Sequence, residues 1–180
     1  LDSLADSLPN ARTYAWQRRA LSASERLGDS NYLLNIINFV KNSSNDDRMR
    51  KLGLSILSTW MSPPDREQVE GKWWPANQFS SRSIYPIQES LSDMIKMCEG
   101  DLLLQVLELA EKNNFELPED ISLKILHDES QSVGLRAHCL KSIKTNDVIL
   151  YGLQSDLWEL RTAARETLLI IEKLNAEDEI

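Results

Sequence analysis

The side chains with the widest chemical repertoire are few in this chain. His127 and His138 are its only histidines, and Cys98 and Cys139 its only cysteines. Structural zinc wants four ligands at close spacing, and the neighbours His138 and Cys139 project about 100° apart on a helix. Neither cysteine belongs to a CxxC pair or to the CxxCH that attaches haem, so both read as small buried hydrophobes. A Cys-His nucleophile would need a Gly-rich or strained turn to display it, and no serine sits in GxSxG. Carboxylates are paired at Glu108 and Glu111, at Glu116 with Glu119 and Asp120, and in the tail Glu177, Asp178, Glu179. Acid-base work needs such groups unequally desolvated in a cleft, whereas these fall on polar helix faces or near the terminus. The reading is therefore of a non-enzymatic chain with no catalytic residue, metal or cofactor.

Binding is a different matter. Between Trp60 and Ser83 the run Ser62-Pro63-Pro64-Asp65-Arg66-Glu67-Gln68-Val69-Glu70-Gly71-Lys72-Trp73-Trp74-Pro75 has no regular periodicity. A connection of that length in a compact domain is either functional or packed by its own side chains. A short helix over Pro64 to Glu70, capped by Ser62 and ended by Gly71, would shorten it. Trp73 and Trp74 suit an exposed anchor for a protein or a sugar face, because such rings dominate interface energetics. Their commoner use is packing beneath the loop at the end of a helix stack. Arg66 and Lys72 beside them complete the candidate binding set, and would otherwise bond local carboxylates or carbonyls.

The elements that must position this loop are helical. In 180 residues there are 6 Gly and 6 Pro, a poor supply for the tight turns of an all-β domain. Leu33, Ile36, Ile37 and Val40 follow the i, i+3, i+4, i+7 spacing of an amphipathic helix, as do Leu103, Val106, Leu107 and Ala110. Similar stripes run through Met49, Gly53, Ile56, Leu57 and Trp60, and through Ile87, Leu91, Met94, Ile95 and Cys98. The last carries Leu157, Leu160, Ala164, Leu168 and Ile171. No stretch alternates with period two. Gly28 closes a helix running from about Asn10 to Leu27, with Ser30 capping the next, and Gly100 repeats this before Asp101. Pro86 fits a first helical turn, and Pro118 opens a short helix through Leu126. Short connections between such helices imply antiparallel pairs.

Several helices begin with an arginine followed by small or branched residues: Arg50 with Gly53 and Leu54, Arg136 with Cys139 and Leu140, Arg161 with Ala164. Asp46 and Asp47 precede the first, Asp128 the second and Asp156 the third. Gln17 with Ala20 fits the same place, while the helix at 101 to 112 lacks the arginine. These segments resemble HEAT-like repeats, in which a turn carboxylate and an arginine in the second helix link neighbouring repeats. The guanidinium suits that task because it offers five donors to carboxylates and carbonyls. Matching positions are 33, 86 and 25 residues apart, which excludes a strict consensus array. The expected fold is an all-α, right-handed α-α superhelix, a HEAT/armadillo-like solenoid of four or five helix pairs over a single domain 1–180. One loop insertion interrupts it at about 61–84, and a compact helical bundle is the runner-up.

Charge narrows the partners. The 20 Lys+Arg against 28 Asp+Glu give a net charge of -8, the wrong sign for wrapping phosphate backbones, so no nucleic acid is expected. A DNA-repair HEAT protein would need a cationic face, and Arg12, Arg18, Arg19, Arg26, Arg48, Arg50 and Lys51 are largely balanced by acids nearby. Residues 1 to 60 hold 8 basic and 6 acidic groups against 5 and 12 over 61 to 120, so the basic start and acidic middle would complement another domain or a second copy. No apolar run reaches a membrane span, and the start at Leu1 suggests a processed protein or an excised domain.

The stretch Trp60, Pro63, Pro64, Asp65, Arg66, Val69, Gly71, Trp74, Pro75 resembles one in HEAT-like segments of large secreted bacterial proteins. Those join a sugar-dehydrogenase-like β-propeller to helical repeats and a c-type cytochrome domain. The resemblance covers about half the chain. It implies an extracytoplasmic, non-catalytic scaffold or interaction module whose partners are proteins or neighbouring domains of the same chain. The chain lacks both propeller and CxxCH. A second reading is a small-molecule or cofactor-binding domain of an oxidoreductase, with the aromatic loop as a lid.

Overall fold

The computed structural model describes residues 1–66, 71, 73 and 82–178, with side chains as far as Lys173. Among these residues every named element is helical. The order is α1 (Asp2–Ala5), a 3-10 turn (Leu8–Asn10), α2 (Tyr14–Leu27), α3 (Ser30–Lys41), α4 (Asp47–Ser58) and α5 (Tyr85–Met97). It continues with α6 (Gly100–Lys112), α7 (Glu119–His127), α8 (Val133–Ser142), α9 (Asn146–Gln154) and α10 (Trp158–Asp178). The all-α class is thus observed, and none of the described helices is long and apolar enough to cross a membrane.

Helix boundaries follow local chemistry more closely than the hydrophobic pattern alone predicts. α2 begins at Tyr14 rather than near Asn10, because Pro9 sits in the 3-10 turn and the Thr13 hydroxyl accepts from the Trp16 N–H at 3.3 Å. Asp29, not Ser30, caps α3: its carboxylate accepts the Asn31 N–H at 2.8 Å, and negative charge is favoured at a helix N-terminus. Gly28 ends α2 at φ 68°, as expected. Gly100 is also left-handed, at φ 53°, but α5 has already ended at Met97 and this glycine starts α6. The expected short helix over Pro64 to Glu70 is not formed at its start. Pro64 and Asp65 are irregular, Arg66 lies in an extended bridge, and residues 67–70 lie outside those described.

Residue contacts gather into two compact units, Leu1–Phe115 and Glu116–Ile180. In the first, the predicted stripes of α3, α4, α5 and α6 are all buried, including Ile36, Ile56, Trp60, Met94 and Val106. Its last helix ends where Asn114 takes φ 54° and the Phe115 N–H reaches back to the Ala110 carbonyl at 2.9 Å. In the second unit Leu135, Leu140, Leu160 and Ala164 form the centre. Leu157, Leu168 and Ile171 of the predicted α10 stripe are only half-buried. The reason is length: α10 has 21 residues and its hairpin partner α9 has 9, so the far end of α10 outruns its cover.

Within each unit the arginines noted in the sequence do a common task. Arg50 is 4% exposed and donates Nε–H to the Val40 carbonyl at 2.8 Å, closing the α3/α4 hairpin. Its other nitrogens reach Asp47 at 3.0 Å, the Met97 carbonyl at 2.8 Å and Cys98 Sγ at 3.5 Å, joining that hairpin to α5. Arg136 donates Nε–H to the Leu126 carbonyl at 2.9 Å and Nη2–H to the Tyr151 hydroxyl at 3.0 Å, joining α7/α8 to α9. Gln17 and Arg161 each reach a carbonyl six residues back, Ala11 at 3.1 Å and Ser155 at 2.7 Å. All four side chains occupy the fourth residue of their helix. The carboxylates differ. Asp47 bonds its arginine, whereas Asp128 accepts from Ser130 and Gln131 instead, and Asp156 is exposed while Arg161 takes the adjacent Ser155 carbonyl.

Two substitutions test this packing. Arg50→Ala leaves two helix-end carbonyls without their donor at about 1–3 kcal/mol each, so urea unfolding should show a loss of about 2–6 kcal/mol. Gly152 faces Leu140 and Ala164 so closely that an added Cβ would lie 2.5 Å from Leu140 Cδ1 and 2.8 Å from Ala164 Cβ. Gly152→Ala should cost about 1–3 kcal/mol in the same assay, despite the higher helix propensity of alanine.

Candidate functional site

The loop between α4 and α5 is held at both ends by side chains that come from outside its middle. α2 ends with Glu25 and Arg26 fully buried, an adjacent ion pair at 3.4 Å. Arg26, 1% exposed, donates Nη1–H to the Pro64 carbonyl at 2.8 Å and Nη2–H to the Arg66 carbonyl at 3.1 Å. Arg82 serves the other end. It donates Nη1–H to the Trp60 carbonyl at 2.9 Å and Nη2–H to the Glu25 carbonyl, and its guanidinium carbon sits 4.4 Å from the centre of the Trp60 ring. That position requires Gly28: a Cβ there would meet the Arg82 guanidinium at 2.8–2.9 Å, and the backbone is already left-handed.

Burial lowers the Arg82 pKa, the Glu25 carboxylate opposes that shift and the Arg26 charge adds to it. The cation nevertheless stays charged at neutral pH, as a guanidinium does in proteins. Stacked on Trp60 and bonded to two carbonyls, it is a cation–π and hydrogen-bond bracket at once. Sequence reasoning passed over Arg82, although one signal was present: it is the only charged residue between Lys72 and Glu89. A lone charge in a run of uncharged residues next to a helix start is a candidate for a buried, bonded cation.

The bracket presents Arg66 and Trp73. These two form an isolated antiparallel bridge, and opposed residues of such a bridge project on the same face. Arg66 is exposed and Trp73 is 70% exposed, so Trp73 is displayed and does not plug the end of a helix stack beneath the loop. Lys72 and Trp74 lie outside the described residues. Of the predicted binding set, then, the structure brings together Arg66 and Trp73.

The remaining reactive groups are held in other states. Cys139 is buried and its thiol is pushed up to about 12 by burial, which leaves it protonated and non-nucleophilic at neutral pH. Burial also raises Cys98, with the Arg50 charge opposing. His127 is exposed and meets the Tyr151 ring edge-on at 4.7 Å. Glu108, Glu111, Glu116, Glu119 and Asp120 are all exposed. Among the described residues no group of three His, Cys, Asp or Glu side chains is placed to hold a metal ion. Of the basic residues at the chain's start, Arg26 and Arg50 are buried, Arg48 pairs with Asp46 at 3.3 Å and Lys51 with Asp101 at 2.8 Å. Compared with protein-family models, with curated proteins and with solved structures, the chain gives no match.

If the bracket fixes the loop, its removal should open the loop without unfolding the helices. Arg82→Ala and Gly28→Ala should each speed proteolytic cleavage between residues 61 and 84 about tenfold, the effect of losing about 1.4 kcal/mol of local closure. Far-UV circular dichroism should stay helical, and unchanged cleavage would show that the loop is fixed by other contacts.

Proposed function

We propose that this chain is a non-catalytic helical-repeat scaffold, a HEAT/ARM-like right-handed superhelix whose α4–α5 loop docks a protein or a neighbouring domain. The supporting observation is the display of Trp73 at 70% exposure on a bridge whose loop is held by the buried Arg26 and the half-buried Arg82. An exposed tryptophan on a fixed frame is the arrangement that gives interface anchors their energy, because little ordering entropy remains to be lost on contact. Arg66 beside it adds the second residue type enriched in such anchors.

The resemblance of the Trp60 to Pro75 stretch to secreted dehydrogenase-like proteins supplies the partner. On this reading the module belongs to an extracytoplasmic multidomain protein, and spaces or docks its propeller and cytochrome domains. The mechanism is geometric: helix pairs cover one another's apolar stripes and hold the loop at a constant place. Redox chemistry would reside in the other domains. Nucleic acid plays no part in it, in keeping with the net charge of -8.

The test is to express the domains flanking this segment in its gene product and to titrate them into the 15N-labelled chain. The Trp73 indole resonance should shift on binding, and Trp73→Ala should weaken the complex by about thirtyfold, the effect of losing about 2 kcal/mol, with an unchanged melting temperature. A gene product without such domains, or a Trp73→Ala chain that binds them as tightly as the parent, would refute the reading.

A further inference from the structure

Helix α10 is covered on one side only. In the second unit α8 and α9 pack on it, and its residues Leu160, Ala163, Ala164 and Thr167 are buried. The other side carries Trp158, Arg165, Leu169 and Glu172, all exposed and spaced seven, four and three residues apart, the interval that keeps a stripe on one side of a helix. Leu169 is 64% exposed and stands about 180° round the helix from the buried Leu160. Ile170 beside it is 54% exposed, so from Leu168 to Ile171 the helix is apolar on every side, a pattern that belongs to a helix covered all round. Arg165 and Glu172 flank this turn. No acidic residue stands three or four places from Arg165 and no basic one from Glu172, so neither can pair along its own helix. Neither side chain makes a hydrogen bond or ion pair with another described residue. Glu166, by contrast, is paired to Lys141 of α8 at 2.5 Å, so the flank towards α8 is satisfied within the unit.

We infer that the outer face of α10 is a dimer interface, on which a second copy of the chain lays its own α10 antiparallel, with the two Leu169 side chains packed together and each Arg165 paired to the partner's Glu172. The stripe is complementary to itself. A two-fold axis beside Leu169 exchanges its ends, so the cation four places before the leucine faces the anion three places after it in the other copy, and both ion pairs form at once. Leu169 also lies beside the middle of a helix that runs from Trp158 to Asp178, so the two helices overlap along nearly their whole length of about 30 Å. Trp158, at the start of the helix, then meets the end of the partner's helix. Other occupants fit less well. A lipid surface calls for cations beside the apolar residues, and here Glu172 stands in the stripe. A partner of different sequence needs its own matching charges at this spacing, whereas a second copy carries them by symmetry. The contact is a single helix pair, which places it at the weak end of specific association. No residue of the α4–α5 loop takes part, so this inference is independent of the docking reading.

Sedimentation equilibrium of the chain from about 1 μM to 1 mM should show a reversible monomer–dimer equilibrium, with a dissociation constant on the order of 100 μM. Leu169→Glu should raise that constant at least about tenfold. Its melting temperature, measured at low concentration where the monomer prevails, should match the parent's, because residue 169 is exposed in the monomer. Arg165→Glu sets carboxylates of the two copies against each other and should weaken the dimer about fivefold. Adding Glu172→Arg to that variant reverses both pairs, and dimerisation should return to within about twofold of the parent. In a parallel pair Arg165 would face the partner's Glu166, and the double exchange would restore nothing. A chain that stays monomeric throughout this range, a dimer that Leu169→Glu leaves intact, or a double variant that dimerises no better than Arg165→Glu alone would each overturn the inference. So would a monomeric chain whose Leu169 resonance shifts only when another domain of its gene product is added, since that domain would then own the face. Trp73→Ala should dimerise like the parent, which separates this result from that of the docking loop.

Discussion

The constraint on which the structure depends is that a helix ends with carbonyls that have no partner inside it. Where short connections bury those ends, water cannot serve them and a side chain must. Here arginine does so repeatedly. Arg50 takes the carbonyls of Val40 and Met97, Arg136 that of Leu126, and Arg82 those of Glu25 in the last turn of α2 and Trp60 just beyond α4, while Arg26 does the same for the loop carbonyls of Pro64 and Arg66. Lysine could not replace it, because a single ammonium cannot present donors in a plane to acceptors on two different elements. The accompanying burial of charge is offset where a carboxylate is close, Asp47 beside Arg50 and Glu25 beside Arg26.

One solution therefore serves both the helix pairs and the loop. In the hairpins the guanidinium closes a turn and reaches the next element. At the loop, two of them hold carbonyls of a chain whose described residues pair with one another only in the Arg66–Trp73 bridge, as backbone polar groups near a buried surface require. The result is a loop whose ends share the stability of α2 and α4, with an exposed Trp73 between them. An aromatic ring displayed in this way would bind with less entropic loss than one on a free loop, so the bracket would serve the proposed docking as well as folding.

How much of this could be read in the sequence depended on how local each interaction is. The stripes of α3 to α6 were legible because a 3.6-residue period is a property of neighbouring residues, and burial of Leu33, Ile36, Ile37 and Val40 follows from it. Arg50 and Arg136 were legible for the same reason, as each bonds a carbonyl only ten residues back. The bracket was not, because Arg26 meets carbonyls 38 and 40 residues away and Arg82 meets one 57 residues away. Nothing in the immediate neighbourhood of those arginines names their acceptors. The misplaced helix at Pro64 has the same origin: capping residues surround it, but Arg26 takes the Pro64 and Arg66 carbonyls, and Arg66 pairs in a bridge with Trp73.

The irregular spacing of the repeated arginines resolves at this level too. Their separations in the chain vary widely, yet each stands at the fourth residue of its helix, and Gln17 does the same. What varies is the connection before the helix. Five residues, 42–46 and 128–132, precede α4 and α8, and in both cases the bond runs to a carbonyl of the preceding helix's last two residues. Three residues precede α10, and Arg161 then bonds the first of them, Ser155. The conserved quantity between pairs is thus the distance of the donor from its own helix start, which sets its height along the helix, while insertions such as the loop change sequence spacing without moving the donor. Helix α6 has Leu103 at that fourth place and no such donor, and its end at Phe115 is closed by backbone instead, through the left-handed Asn114.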